Sequence, residues 1–282
     1  MPLPHWLKVK ASGQHATKSI LRNRQVATVC EQARCPNRGF CFSRPTATFL
    51  ILGELCTRSC RFCAVMHGKP SAPDPAEPGR VARAASDMDL TYVVVTSVTR
   101  DDLHDGGASQ FASAIREIRK VLPGAGIEVL TPDFLGRRES IETVLEAGPD
   151  VFNHNMETVR RLYAPVRPQA SYERSLEVLR RAKELAPHIR TKTGLMVGLG
   201  EEAREIEELF HDVRQAACDM ITVGQYLRPG KANMPVVEYK RPDFFERLKE
   251  RAYAAGFEFV ASGPLVRSSM NADEMYRGRR DV

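Results

Sequence analysis

Residues 47–63 read ATFLILGELCTRSCRFC. The apolar run TFLIL (48–52) stops at Gly53 and leads directly into three cysteines spaced Cys56-x3-Cys60-x2-Cys63. A run this short and this uniformly apolar suits a strand buried on both faces. Runs of the same kind recur as YVVVTS (92–97), IEVLTP (127–132), VFNHNM (151–156), TGLMVG (193–198) and MITVGQY (220–226), with a shorter seventh, FEFVAS, at 257–262. Between them lie stretches with helical spacing. Phe111, Ile115, Ile118 and Leu122 form one stripe in 108–122, and Ile206, Leu209, Phe210 and Val213 form another in 202–217. The same pattern covers 137–147, 172–186 and 242–255. Strand–helix alternation predicts a parallel α/β sheet. Six or so units fall short of the eight that close a full TIM barrel. The expectation is therefore a partial (β/α)6 TIM-like barrel, with a doubly wound sheet as the alternative. In either fold, ligands gather at the carboxyl ends of the strands. Those ends here, such as VTSVTRDDLHDGG, NHNME and VGLGEE, are polar and glycine-rich.

The composition sets the outer bounds. With 282 residues, 43% hydrophobic and 27% charged, the chain can bury a sizeable core, which excludes disordered, collagenous and coiled-coil classes. No apolar run approaches the ~18 residues of a membrane span, and the N-terminal segment lacks the apolar stretch of a secretory signal. A cytoplasmic protein without membrane association is expected. The net charge of +6 is unevenly placed. Residues 1–44 carry eight Lys/Arg and the single acid Glu31, a net +7, and the remainder sums to −1. No zinc-finger or RNA-recognition signature supports a nucleic-acid partner for this basic arm. A solvated tail or a surface for an acidic protein remain as readings.

Six of the seven cysteines fall between Cys30 and Cys63. The upstream triplet is Cys30-x4-Cys35-x5-Cys41, and Cys218 stands apart among apolar neighbours as a core thiol. Disulfides suit a reducing compartment poorly. Structural zinc takes four ligands; His67 could complete the second triplet, but no histidine lies near the first. A cubic iron–sulfur cluster also needs four ligands, so three thiolates leave one iron open to a substrate or cofactor. Iron–sulfur, zinc and unrelated thiols all stay open on spacing alone.

The motif set narrows the choice. A C-x3-C-x2-C loop after the first strand of an α/β barrel resembles the radical S-adenosylmethionine (SAM) superfamily. Together with TVCEQARCPNRGFC, VVVTSVTRDDLHDGGA, DVFNHNMETV, GLMVGLGE, GQYLRPG and SGPLVRSSMNADE, in this order from about Trp6 to Glu274, it resembles the lipoyl synthase family. The resemblance implies that Cys56, Cys60 and Cys63 hold a [4Fe–4S] cluster whose open iron binds SAM. It further implies that Cys30, Cys35, Cys41 and Ser269 hold an auxiliary [4Fe–4S] cluster, the sulfur donor. The implied reaction is radical sulfur insertion at C6 and C8 of an octanoyl chain on a lysine of a carrier domain. That carrier is of the glycine-cleavage H-protein or 2-oxoacid dehydrogenase E2 type. A reducing electron donor and an iron–sulfur carrier protein are implied as further partners. Phe62 would lie near the adenine of SAM, or simply pack the loop. Ser97, Asn153, Glu157 and Lys192 are candidate SAM contacts at strand ends, each with a structural alternative. No general acid or base is expected, because unactivated C–H bonds yield to a radical and not to a side-chain base. Met270 and Asn271 depart from the aromatic and histidine usual after the family's serines. The expected organisation is an N-terminal extension over 1–45, a barrel over 46–262 and a C-terminal tail over 263–282.

Overall fold

The computed structural model describes residues 2–9, 14–44, 46–270 and 272–278, so Asn271 lies outside the described residues. The chain divides into two compact units. One comprises residues 9–58 and 64–150; the other comprises 1–8, 59–63 and 151–282.

The first unit holds β1 (Ala27–Thr28), β2 (Thr48–Ile51), β3 (Leu55–Cys56), β4 (Met66–His67), β5 (Tyr92–Ser97) and β6 (Gly126–Leu130). Its main ladder runs β1-β2-β5-β6. β2, β5 and β6 are parallel, and β1 pairs antiparallel with β2. All four residues of β2 are buried, as its unbroken apolar sequence requires. The helix Ala108–Val121 turns Phe111, Ile115 and Ile118 inward, each at 0% exposure. The N-terminal segment, expected as an extension, contributes β1 and the helices His15–Asn23, Val29–Gln32 and Arg38–Ser43. The Pro-rich stretch 69–79 is a loop up to Ala76, where the helix Glu77–Asp87 begins.

The second unit holds β7 (Val151–Asn153), β8 (Arg190–Val197), β9 (Met220–Gln225) and β10 (Phe259–Gly263), parallel in that order. The helix Ala203–Gln215 begins at a capping box in which the Glu202 and Glu205 side chains exchange bonds with each other's backbone N–H. Its buried face is Ile206, Leu209, Phe210 and Val213, the stripe read from sequence. That face joins Ile221 and Val223 of β9 in the unit's core. Burying side chains of this size contributes about 1.5–3 kcal/mol each.

The six strands expected from sequence are β2 and β5–β9. The seventh run is a full member, since β10 pairs with β9 over five residues. It starts two residues later than its apolar sequence suggests, because Phe257 packs into the core ahead of the strand. No helix among the described residues is long and apolar enough to cross a membrane.

Candidate functional site

The loop after β2 carries the second cysteine triplet. Cys56 ends β3, opposite His67 of β4, and its carbonyl accepts from Gly68 N–H at 2.9 Å. Its Sγ accepts two backbone N–H groups, from Thr99 at 3.3 Å and Arg58 at 3.4 Å. Thr57 ties the same turn to the loop after β5: its N–H and hydroxyl both donate to Thr99 O at 3.0 Å. Arg58, between the first two cysteines, is 4% exposed and ion-paired to Asp101 and Asp133.

Residues 59–63 belong to the other unit and are held there along their length. Ser59 N–H donates to Gln169 Oε1 at 2.8 Å, Arg61 N–H to Val166 O at 2.9 Å, and Asn233 Nδ2 to Cys63 O at 2.7 Å. Phe62 is half-buried and packs against the core cluster that includes Met156 and Leu195. Its ring therefore serves packing, and its remaining exposed part is free for a ligand.

The upstream triplet lies in a compact helical segment. Thr28 caps the helix Val29–Gln32 by accepting from Glu31 N–H at 3.3 Å. Cys30 is buried in that helix, and Arg34 leaves it at a left-handed φ of 51°. This turn lets Cys35 N–H return to Cys30 O at 3.1 Å. Cys41 follows in the helix Arg38–Ser43. Burial pushes the Cys30 thiol up to about 12, and the neighbouring Cys35 and Cys41 sulfurs push in the same direction. Burial and Cys35 push Cys41 up to about 11, against the Arg44 guanidinium, which lowers it.

All seven cysteines are free thiols. Among the described residues, no three Cys, His, Asp or Glu side chains converge as the ligands of a single metal ion do. A cubic cluster makes a different demand, because its ligands bind separate corners and stand further apart. Soft, partly dry sulfur donors fit iron–sulfur chemistry better than a hard cation.

The strand-end candidates occupy distinct settings. Ser97 Oγ, at the end of β5, is buried without a hydrogen-bond partner, a state that an incoming polar ligand would relieve. Lys192, expected at a strand end, is instead the third of the eight residues of β8, fully buried and registered against Asn153 of β7. Glu157 has a left-handed φ of 65° and bridges to β8 through Gly194 O and Met196 N–H. Its half-buried carboxylate accepts from Asn155 Nδ2 at 3.1 Å. Desolvation pushes its carboxyl above the ordinary value, opposed by the nearby Arg167 guanidinium and the Asn155 amide. Asn153 is fully buried and donates through Nδ2 to Ser268 Oγ at 3.1 Å.

Ser268 Oγ in turn donates to Asn155 Oδ1 at 2.7 Å. The C-terminal serine pair is thus anchored through its first member. The candidate ligand Ser269 follows in a turn closed by Met270 N–H to Arg267 O at 2.9 Å. Asn155, Arg58 and Ser268 were not among the residues singled out from sequence. The polar NHN at a buried strand end was the available signal for Asn155. Cys218, as expected, is buried; burial pushes its thiol up to about 12.

Known proteins resemble this chain in sequence and in fold. The radical SAM superfamily profile matches residues 50–213. A lipoyl synthase from Caldanaerobacter subterraneus subsp. tengcongensis is 56% identical over 272 residues, covering 96% of this chain and 95% of that protein. One from Rubrobacter xylanophilus is 53% identical, covering 98% of this chain and 87% of its own. Among solved structures, Streptococcus suis SuiB bound to precursor peptide SuiA aligns with a TM-score of 0.58 at 18% identity. That alignment covers 82% of this chain and 54% of SuiB. Methylornithine synthase (PylB) aligns with a TM-score of 0.54 at 14% identity, covering 90% of this chain and 76% of its own. At these identities the structural likenesses speak to the fold alone.

Proposed function

The chain belongs to the lipoyl synthase family of the radical SAM superfamily, and from that premise we propose the chemistry of its two cysteine triplets. The family acts in lipoate biosynthesis and uses SAM with a [4Fe–4S] cluster. The finer reading is sulfur insertion at C6 and C8 of an octanoyl-lysine, with a second, auxiliary cluster as the sulfur donor. The observation that carries it is the upstream triplet: Cys30 buried and Cys35 and Cys41 half-buried on one compact segment, closed by Cys35 N–H to Cys30 O, with all three sulfurs as free thiols.

Cys56, Cys60 and Cys63 would hold the SAM-binding cluster, and Cys30, Cys35, Cys41 and Ser269 the auxiliary one. Bound there, the two groups with SAM would supply electron transfer, radical chemistry and sulfur. The protein supplies binding, orientation and exclusion of water. Phe62 offers a ring face for adenine. Ser97 Oγ offers an unsatisfied hydroxyl, and Glu157 offers a carboxylate for a ribose hydroxyl or the SAM amine. Lys192 would meet the SAM carboxylate. Asn153 has its amide nitrogen committed to Ser268, so its part is to fix the C-terminal segment.

Arg34, Arg38 and Arg44 flank the auxiliary triplet and would offset the negative charge of a thiolate-ligated cluster. The remaining positive charge of this arm suits an acidic carrier domain of the H-protein or E2 type. A reducing electron donor and an iron–sulfur carrier complete the partners, in the cytoplasm, with neither nucleic acid nor membrane. Residues 1–45 and 263–282 then act as extensions of a 46–262 barrel.

The test is Cys35→Ala, loaded anaerobically beside the wild type. Wild type should bind about eight irons per chain and Cys35→Ala about four. On an octanoylated carrier peptide, mass spectrometry should show two sulfurs gained by wild type, and none by Cys35→Ala despite continued SAM cleavage. Unimpaired sulfur insertion by Cys35→Ala would overturn the donor assignment. Zinc in place of iron in the wild type, without broad absorbance near roughly 400 nm, would overturn the reading as a whole.

A further inference from the structure

Arg58 lies inside the second triplet, and its guanidinium is bound to two carboxylates. Its side chain is 3% exposed, and every nitrogen of its guanidinium is engaged. Nε and Nη2 donate to the two oxygens of Asp101 at 2.7 and 2.9 Å. Nη1 and Nη2 donate to the two oxygens of Asp133 at 3.0 and 2.6 Å. One planar fork thus makes two bidentate pairs, a geometry a lysine ammonium cannot reproduce.

The carboxylates come from two different loops, after β5 and after β6. Asp133 is completely buried, and it also accepts from Leu135 N–H at 3.1 Å. That turn places Phe134 and Leu135 at φ 46° and 53°, two successive non-glycine residues in the left-handed region. Backbone held in this region costs free energy and persists where the surroundings fix it. The Asp101 side of the clamp is similarly braced, since Asp101 N–H donates to Thr57 Oγ1 at 3.1 Å.

The outcome of this bracing is at Cys56. Fixing Arg58 and Asp101 fixes the Thr57–Thr99 pairing between them, and with it the two N–H groups aimed at Cys56 Sγ. Hydrogen bonds to cluster sulfurs are among the determinants of reduction potential. They stabilise the reduced state, which carries the extra negative charge, and so raise the potential. We infer that the Arg58–Asp101–Asp133 clamp is a positioning device that keeps two N–H···S bonds on Cys56 and thereby eases reduction of the cluster bound there. The inference rests on Cys56 being a ligand of that cluster.

The test uses Arg58→Lys, which keeps the charge but cannot span both carboxylates. Any change in potential then reads loop geometry and not net charge. The clamp predicts a lower midpoint potential for the cluster whose paramagnetic spectrum shifts on adding SAM. It also predicts about tenfold faster amide exchange at Arg58 and Thr99 in the metal-free full chain, with the Ala108–Val121 helix unchanged. The exchange arm remains readable if the variant loads poorly, and Asp101→Asn supplies a second variant for it. A wild-type potential, or wild-type exchange in both variants, would overturn the inference. Cys56→Ala separates the two claims. If it retains the SAM-responsive spectrum, the ligand assignment has failed; if it loses it, the Arg58→Lys result judges the clamp.

Discussion

Gly224→Ala should disconnect SAM cleavage from product formation without touching any proposed ligand. Gly224 sits in β9, paired with Met196 of β8 on one side and Gly263 of β10 on the other. A Cβ built there would lie 2.1 Å from Val266 O and 3.2 Å from an Arg267 nitrogen. Real Cβ atoms essentially never approach closer than 3.0 Å, so the two must separate by about 0.9 Å. The strand cannot retreat, because ladders hold it on both edges. The segment 264–268 must move instead. Ser268 has little slack: its bonds to Asn153 and Asn155 are 3.1 and 2.7 Å long. A displacement of this size carries the longer one beyond ~3.6 Å, where it ceases to be a hydrogen bond. Overpacking costs about 1–3 kcal/mol, and each lost bond about 0.5–1.5 kcal/mol. A total near 3 kcal/mol corresponds to a Tm fall of roughly 6–12 °C. With Ser268 released, Ser269 loses its defined position. Amide exchange should rise over 264–270, SAM cleavage should persist, and sulfur insertion should fall. Wild-type sulfur insertion together with unchanged exchange in this segment would refute the reasoning.

Two further outcomes follow from buried groups away from the site. Burial raises the Cys218 thiol from an ordinary 9.0 to about 12, so it contributes fully below pH 9 and its contribution is lost as pH rises towards 12. Between those values the unfolded chain gives up the proton while the native chain keeps it; Cys218→Ala should flatten this alkaline decline in urea midpoints, and an unaltered slope would exclude the mechanism. Asp219, 6% exposed, accepts from Thr191 N–H and Lys183 Nζ, each at 2.8 Å. Asp219→Ala should cost about 2–4 kcal/mol, discounted for the partly exposed lysine, with iron content unchanged; iron loss matching the stability loss would show that the effect is not confined to this pair.

Legibility varied with how local the controlling interaction is. The strand β2 and the helix Ala203–Gln215 could be read directly, because an apolar run or an amphipathic stripe records its own burial. The apolar run TGLMVG places the start of β8 at Thr193, whereas the strand begins at Arg190. Arg190 and Lys192 are charged and lie ahead of the apolar run, so their place inside the strand does not show in one dimension. In the fold, the Arg190 guanidinium lies over the rings of Phe259 and Tyr276, at 5.2 and 5.5 Å, and Lys192 is fully buried. The same held for the site. The cysteine spacings are visible, whereas Arg58 reaches Asp133 across 75 residues and Ser268 reaches Asn153 across 115.

By itself, then, the sequence determined the alternating α/β architecture, the two triplets and the family, because burial periodicity and cysteine spacing are properties of neighbouring residues. Tertiary structure alone decided which residues hold those motifs in working positions. The Arg58 fork, the Ser268 anchor and the Gly224–Val266 contact each join segments distant along the chain. Such contacts leave no periodic trace, since their strength comes from geometry and desolvation that exist only once the chain has closed.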